Sequence, residues 1–168
     1  VLIQEVVEAE FAFVIHTVNP FSGDSAEIYA EVVLGLGETL VGNYPGRAMS
    51  FVCRKNGGQP TVLAYPAKSV GLFGGGLIFR SDSNAEDLEG YAGAGLYDSV
   101  LLDDPRELTL DYTGQPLVWD ASYRAEVLTR IARIGEVVEQ AFGTAQDIEG
   151  AFSKGKFAVV QTRPQVGL

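Results

Sequence analysis

The sequence predicts an α+β fold, a mixed and largely antiparallel sheet with packed helices, on three observations. Short apolar runs separated by tight-turn residues recur through the first eighty positions, a spacing suited to antiparallel strands. Val127, Ile131, Ile134, Val138 and Phe142 recur at helical spacing and so lie on one face of a helix. Near the end, two β runs flank Ser153-Lys154-Gly155-Lys156, a hairpin signal. With 168 residues and 46% hydrophobic content the chain can build one core of ordinary domain size, so residues 1–168 are read as one domain.

In chain order, Val1–Val7 and Phe11–Thr17 read as paired strands around the Glu8-Ala9-Glu10 turn. Glu27–Val33 alternates as a further strand. Ser50–Arg54 and Val62–Tyr65 flank the Asn56-Gly57-Gly58 turn, and Leu77–Arg80 is another short strand. Asp120 suits a helix N-cap and Gly143 a C-cap, which frames the long helix between them.

The net charge of −10 argues against a nucleic-acid binder or a basic membrane-surface protein. No apolar run is long enough to span a bilayer, and no targeting segment is visible. With Cys53 alone no internal disulfide can form, which fits a reducing compartment.

Two stretches carry candidate chemistry. Phe79 to Gly95 combines Arg80 with several carboxylates and with Gly90, Gly93 and Gly95. Arginine offers a planar fork of donors that matches phosphate oxygens, and glycines let backbone N–H groups approach an anion. On composition alone a solvated acidic loop explains the run as well. In the terminal hairpin Gln161 and Arg163 alternate, so they share one face. A carboxylate and an amide oxygen on neighbouring strands beside an arginine can hold Mg²⁺ and a polyphosphate together. Register decides whether Glu149 joins them. A two-residue Lys154-Gly155 turn pairs Glu149 with Val160 and sends it to the other face, whereas a three-residue loop or a bulge returns it.

Val1-Leu2-Ile3-Gln4-Glu5-Val6-Val7, Asn19-Pro20 followed by Gly23, Gly35-Leu36-Gly37-Glu38-Thr39-Leu40-Val41, the Arg80-Ser81-Asp82-Ser83-Asn84 block and Gln161-Thr162-Arg163-Pro164 together resemble the nucleotide-binding part of the dikinases. Within that group, which includes phosphoenolpyruvate synthase and pyruvate phosphate dikinase, the order of segments resembles the C-terminal catalytic region of α-glucan water dikinases. The resemblance covers essentially the whole chain. It implies the C-terminal part of an ATP-grasp-like, ATP-binding module. Gln4, Glu5 and Val7 would lie on the linker at adenine and ribose; Arg80 and Gly93 would contact phosphates; Glu149 and Gln161 would be magnesium ligands; Arg163 would steady the phosphates during transfer. It also implies ATP and Mg²⁺ as cofactors, starch as the substrate of the full-length enzyme, and a chloroplast location. An upstream phosphohistidine domain and another nucleotide lobe would be its partners. Gly74-Gly75-Gly76 departs from the bulkier residues expected ahead of the Arg80 strand, and Ala85 stands where glycine is frequent.

The alternatives are another dikinase, such as a phosphoenolpyruvate synthase relative, and a non-catalytic module that keeps the fold. Segment order and the Asp82-Ser83-Asn84 that follows Arg80-Ser81 count against the first. His16, the only histidine, sits in an apolar run and lacks a phosphohistidine motif, so it is not read as the nucleophile. Trp119, Tyr91 and Tyr97 are read as packing residues in preference to sugar-stacking ones, and Glu31 and Glu38 as possible cleft residues.

Overall fold

The computed structural model of the protein describes residues 1–42, 44–80, 87–88, 91–92 and 99–166. Gly93, Tyr97 and the block at residues 81–86 lie outside them. Every strand pairing among the described residues is antiparallel.

The centre is a six-stranded sheet built from β2 (Phe11–His16), β3 (Glu27–Leu34), β4 (Met49–Arg54), β5 (Thr61–Ala64), β12 (Gln146–Ser153) and β13 (Lys156–Pro164), in the order β13-β12-β2-β3-β4-β5. Alternation divides it into two faces. Phe152, Phe11 and Leu34 form one row across the strands, Ile148, Ile15, Ala30 and Phe51 another, and all are buried. On this face lies α3 (Ala121–Phe142), contributing Val127, Leu128, Ile131 and Ala132. Asp120 caps it through Oδ1, which accepts from the backbone of Ser122 and Tyr123 at 2.9 and 3.0 Å, and Gly143 ends it with φ 72°. Val127 and Ile131 take the expected inward face and Ile134 and Val138 pack at its edge. Phe142 does not join them: it is 60% exposed and lies outside the core cluster, so the buried stripe ends at Val138.

The smaller layer also departs from the expected pairing. β1 (Leu2–Val6) does not form a hairpin with β2. It pairs with β7 (Gly76–Arg80), to which β10 (Val100–Leu101) adds. The turn at Glu8-Ala9-Glu10 is a local signal only, and both edges of β2 are taken by β12 and β3, whose apolar residues complete the core row by row. Gly76 opens β7 opposite Val6, so the glycine run ahead of Arg80 leads directly into a paired strand. β6 (Val70–Phe73) pairs with β11 (Arg106–Thr109), and β8 (Asp87–Leu88) with β9 (Tyr91–Ala92). Two short helices, α1 (Glu38–Val41) and α2 (Pro116–Trp119), complete the elements. Cys53 is buried in β4, where burial, with the charge of Glu136 second, pushes its thiol up and away from the reactive thiolate.

Candidate functional site

The second face of the central sheet is polar where the first is apolar. Gln161, Glu149, Val14, Glu31 and Ser50 are successive cross-strand neighbours, and Arg163, Asp147, His16 and Tyr29 form the adjacent row. Direct neighbours across a ladder have Cβ atoms ~4.5–5.5 Å apart, so these rows bring each functional group within reach of its neighbour across five strands.

The terminal hairpin reaches this arrangement through a bulge. Its turn is the two-residue form, with Lys154 and Gly155 at φ 51° and 78° between Ser153 and Lys156, which alone would pair Glu149 with Val160 and leave Gln161 and Arg163 on the opposite face. The register shifts between Glu149 and Gly150, so that Gly150 pairs with Val159 and Glu149 with Gln161, leaving Val160 as the extra residue. Gly150 is required beside the bulge: a Cβ there would lie 2.3 Å from the buried Phe13 ring and 2.8 Å from the Ala158 carbonyl oxygen. The Gln4 amide donates to the carbonyl of Val160 at 3.0 Å, tying β1 to the bulge.

Arg80 comes from β7, on the other side of the cleft. Its Nη1 donates to Gln161 Oε1, and its Nη2 lies 3.9 Å from Glu149 Oε2. Asp147 bridges the next row, with Oδ1 2.7 Å from His16 Nδ1 and Oδ2 3.6 Å from Arg163 Nε. The Tyr29 hydroxyl donates to Glu31 at 2.7 Å. Burial first, and then the hydrogen bond and charge of Glu31, push the Tyr29 hydroxyl up to about 12.

Two cavities meet here, sharing Val14 and Glu149. One, about 220 Å³, lies between β1, β7 and the sheet; Val7, Ala12, Leu36 and Ile78 make its walls largely apolar, and Gln4, Glu5 and Glu38 are at its margin. The other, about 240 Å³, holds His16, Glu31, Asp147, Gln161 and Arg163. Together they fall within the size of ligand sites, about 300–1,000 Å³. The Gly35–Thr39 segment roofs the apolar part because Leu36 N–H donates to the Leu72 carbonyl at 2.7 Å and Thr39 Oγ1 accepts from Leu72 N–H at 3.0 Å. Gly35, at φ 81°, passes so close to Leu72 that any side chain would strike its carbonyl oxygen.

Of the residues singled out from the sequence, Glu149, Gln161 and Arg163 therefore share the polar end, Gln4, Glu5 and Val7 the apolar end, and Arg80 lines the apolar cavity where it meets Glu149 and Gln161. Gly93 lies outside the described residues. Glu31 and Glu38 do line the cleft. The sequence reading missed Asp147 and the cleft position of His16. The alternation that pairs Gln161 with Arg163 also puts Asp147 beside Glu149, and His16 two residues from the half-buried Val14.

Among the described residues no three His, Cys, Asp or Glu side chains converge to enclose a metal ion. Glu149 and Gln161 supply two oxygen donors on one face, one of them anionic. That set fits a hard cation which keeps its remaining positions for water and phosphate oxygens, as Mg²⁺ does.

No family model matches the chain. Curated proteins do. It is 64% identical over 168 residues to α-glucan water dikinase 1, chloroplastic, of Arabidopsis thaliana, covering 99% of this chain and 12% of that protein. To α-glucan water dikinase, chloroplastic, of Solanum tuberosum it is 59% identical over the same length, again 12% of the relative. A probable phosphoenolpyruvate synthase of Methanocaldococcus jannaschii is 26% identical over 163 residues, 97% of this chain and 11% of that protein. Because that alignment runs nearly from end to end, segment order does not separate the two groups as expected; the difference in identity does. The chain spans about 12% of the length of these dikinases and is similar along nearly all of its own length to one segment of the α-glucan water dikinases.

Proposed function

We propose that the chain is the nucleotide floor of an ATP-grasp-like module in a chloroplast α-glucan water dikinase, and that it binds ATP and Mg²⁺. One observation carries this reading: Arg80 of β7 and Glu149, Gln161 and Arg163 of the terminal hairpin, about seventy residues further along the chain, converge where an apolar cavity joins a polar one. The apolar end near Val7, Leu36 and Ile78 suits a purine, with backbone groups of Gln4 to Val7 at its edge. The polar end suits a triphosphate.

Arg80 and Arg163 bind and orient phosphate oxygens, and their fixed positive charge meets the charge that develops there during transfer. Asp147 holds Arg163 from below. Glu149 and Gln161 would hold Mg²⁺, which supplies neutralisation of the phosphate oxygens. In the full-length enzyme the β-phosphate passes to a histidine on a separate domain and then to a glucosyl hydroxyl of starch, while water receives the γ-phosphate. His16, bonded to Asp147 within the sheet, sits in an apolar run without a phosphohistidine motif and is not read as that histidine. The 168 residues alone therefore do not phosphorylate glucan.

Calorimetric titration of the chain with Mg·ATP tests the reading. Saturable binding that weakens at least tenfold in Arg163→Ala supports it. Absence of binding in the wild type, or equal binding in both proteins, identifies a module that keeps the fold without the chemistry.

A further inference from the structure

Trp119 stands apart from every site described above. It ends α2 and is 70% exposed, although indole is among the side chains that gain most from burial. It is nonetheless held in place: its Nε1–H donates to the Tyr112 carbonyl at 2.7 Å, and its backbone N–H to the Gln115 carbonyl at 3.2 Å. One broad ring is thus fixed at the surface over a shallow hollow formed by the Thr113–Pro116 turn and the start of α3.

The rim of the hollow is polar. Gln115 makes no side-chain hydrogen bond among the described residues, and Asp120 spends only Oδ1 on its helix cap. Among the described residues that line the hollow, Pro116 and Ala121 are the apolar ones besides the indole itself. A stable protein contact needs a contiguous apolar centre within roughly 1,200 Å² or more of buried surface, which this hollow does not supply. A pyranose ring fits better, since it has a C–H face that stacks on indole and a hydroxyl edge that exchanges hydrogen bonds with amide and carboxylate groups.

We infer that Trp119, with Gln115 and Asp120 at its rim, is a glucan-binding platform distinct from the nucleotide cleft, taking one or two glucosyl units of an α-glucan chain. The class of ligand rests on the proposed function above; the platform itself rests on the geometry. Trp119 is the only tryptophan in the chain, so its emission reads the site directly.

Maltoheptaose added to the 168-residue chain is expected to shift that emission saturably, with weaker affinity in Gln115→Ala. In the full-length dikinase carrying this segment, Trp119→Ala should raise the KM for soluble glucan about two- to tenfold, and Trp119→Phe should recover part of the loss. ATP-dependent self-phosphorylation should stay at the wild-type rate, which separates failure of the platform from failure of the nucleotide reading. An emission spectrum indifferent to maltoheptaose, or an unchanged KM in Trp119→Ala, overturns the platform and leaves the exposed indole as a contact for another part of the protein.

Discussion

Ile148 and Glu149 are consecutive residues of β12, yet one is fully buried beneath α3 and the other opens onto the cleft. The same division runs through β2, where Ile15 faces the helix and Val14 and His16 face the cavities, and through β3, where Ala30 and Glu31 part in the same way. A single sheet thus presents a helix-packed core on one face and an array of charges on the other. The comparison teaches that stability and chemistry are separable here by side-chain parity, and that the Val160 bulge is what brings Gln161 and Arg163 to the side of Glu149.

The largest effect should come from breaking the apolar face. Ile131→Asp places an unpaired charge at a position with no solvent exposure, a cost of several kcal/mol against a total stability of about 5–15 kcal/mol. Loss of cooperative thermal unfolding is the expected result, and a wild-type melt would show that α3 does not seal the core.

Changing the polar face should do the reverse. Glu149→Gln keeps the shape and removes the anionic donor, so dikinase activity of the full-length protein should fall about 10²-fold or more while the unfolding free energy moves by less than about 1 kcal/mol. Comparable losses in both would mean that the two faces are not independent.

A smaller effect concerns Tyr29. Burial, with Glu31 second, pushes its hydroxyl up from the ordinary 10.0 to about 12 in the folded protein. The folded state therefore holds the proton after the unfolded state has lost it, and the associated stability is complete below pH 10 and disappears as pH rises through about 12. Alkaline unfolding curves should show this decline in the wild type and a shallower one in Tyr29→Phe.

Much of this was legible in the sequence where a signal is local. The period and caps of α3, the strands read at Glu27–Val33 and Ser50–Arg54, and the terminal hairpin all depend on residues close in the chain, whereas the choice between a longer loop and a bulge stayed open until the register was seen. The partner of β1 was not legible, because the strand that covers it begins at Gly76 and no short-range pattern identifies it. For the site, the resemblance selected the residues, but the meeting of Arg80 with Glu149 and Gln161 depends on that same distant pairing. Asp147 was overlooked because it carries no motif of its own. Its role appears only when His16 and Arg163 arrive from strands on either side.

The most direct test is a crystal structure of the protein with Mg²⁺ and a non-hydrolysable ATP analogue. The account predicts the base between Val7, Leu36 and Ile78, the phosphates between Arg80 and Arg163, and the metal bound by the side-chain oxygens of Glu149 and Gln161. A nucleotide bound elsewhere, or a metal that contacts neither Glu149 nor Gln161, would contradict it.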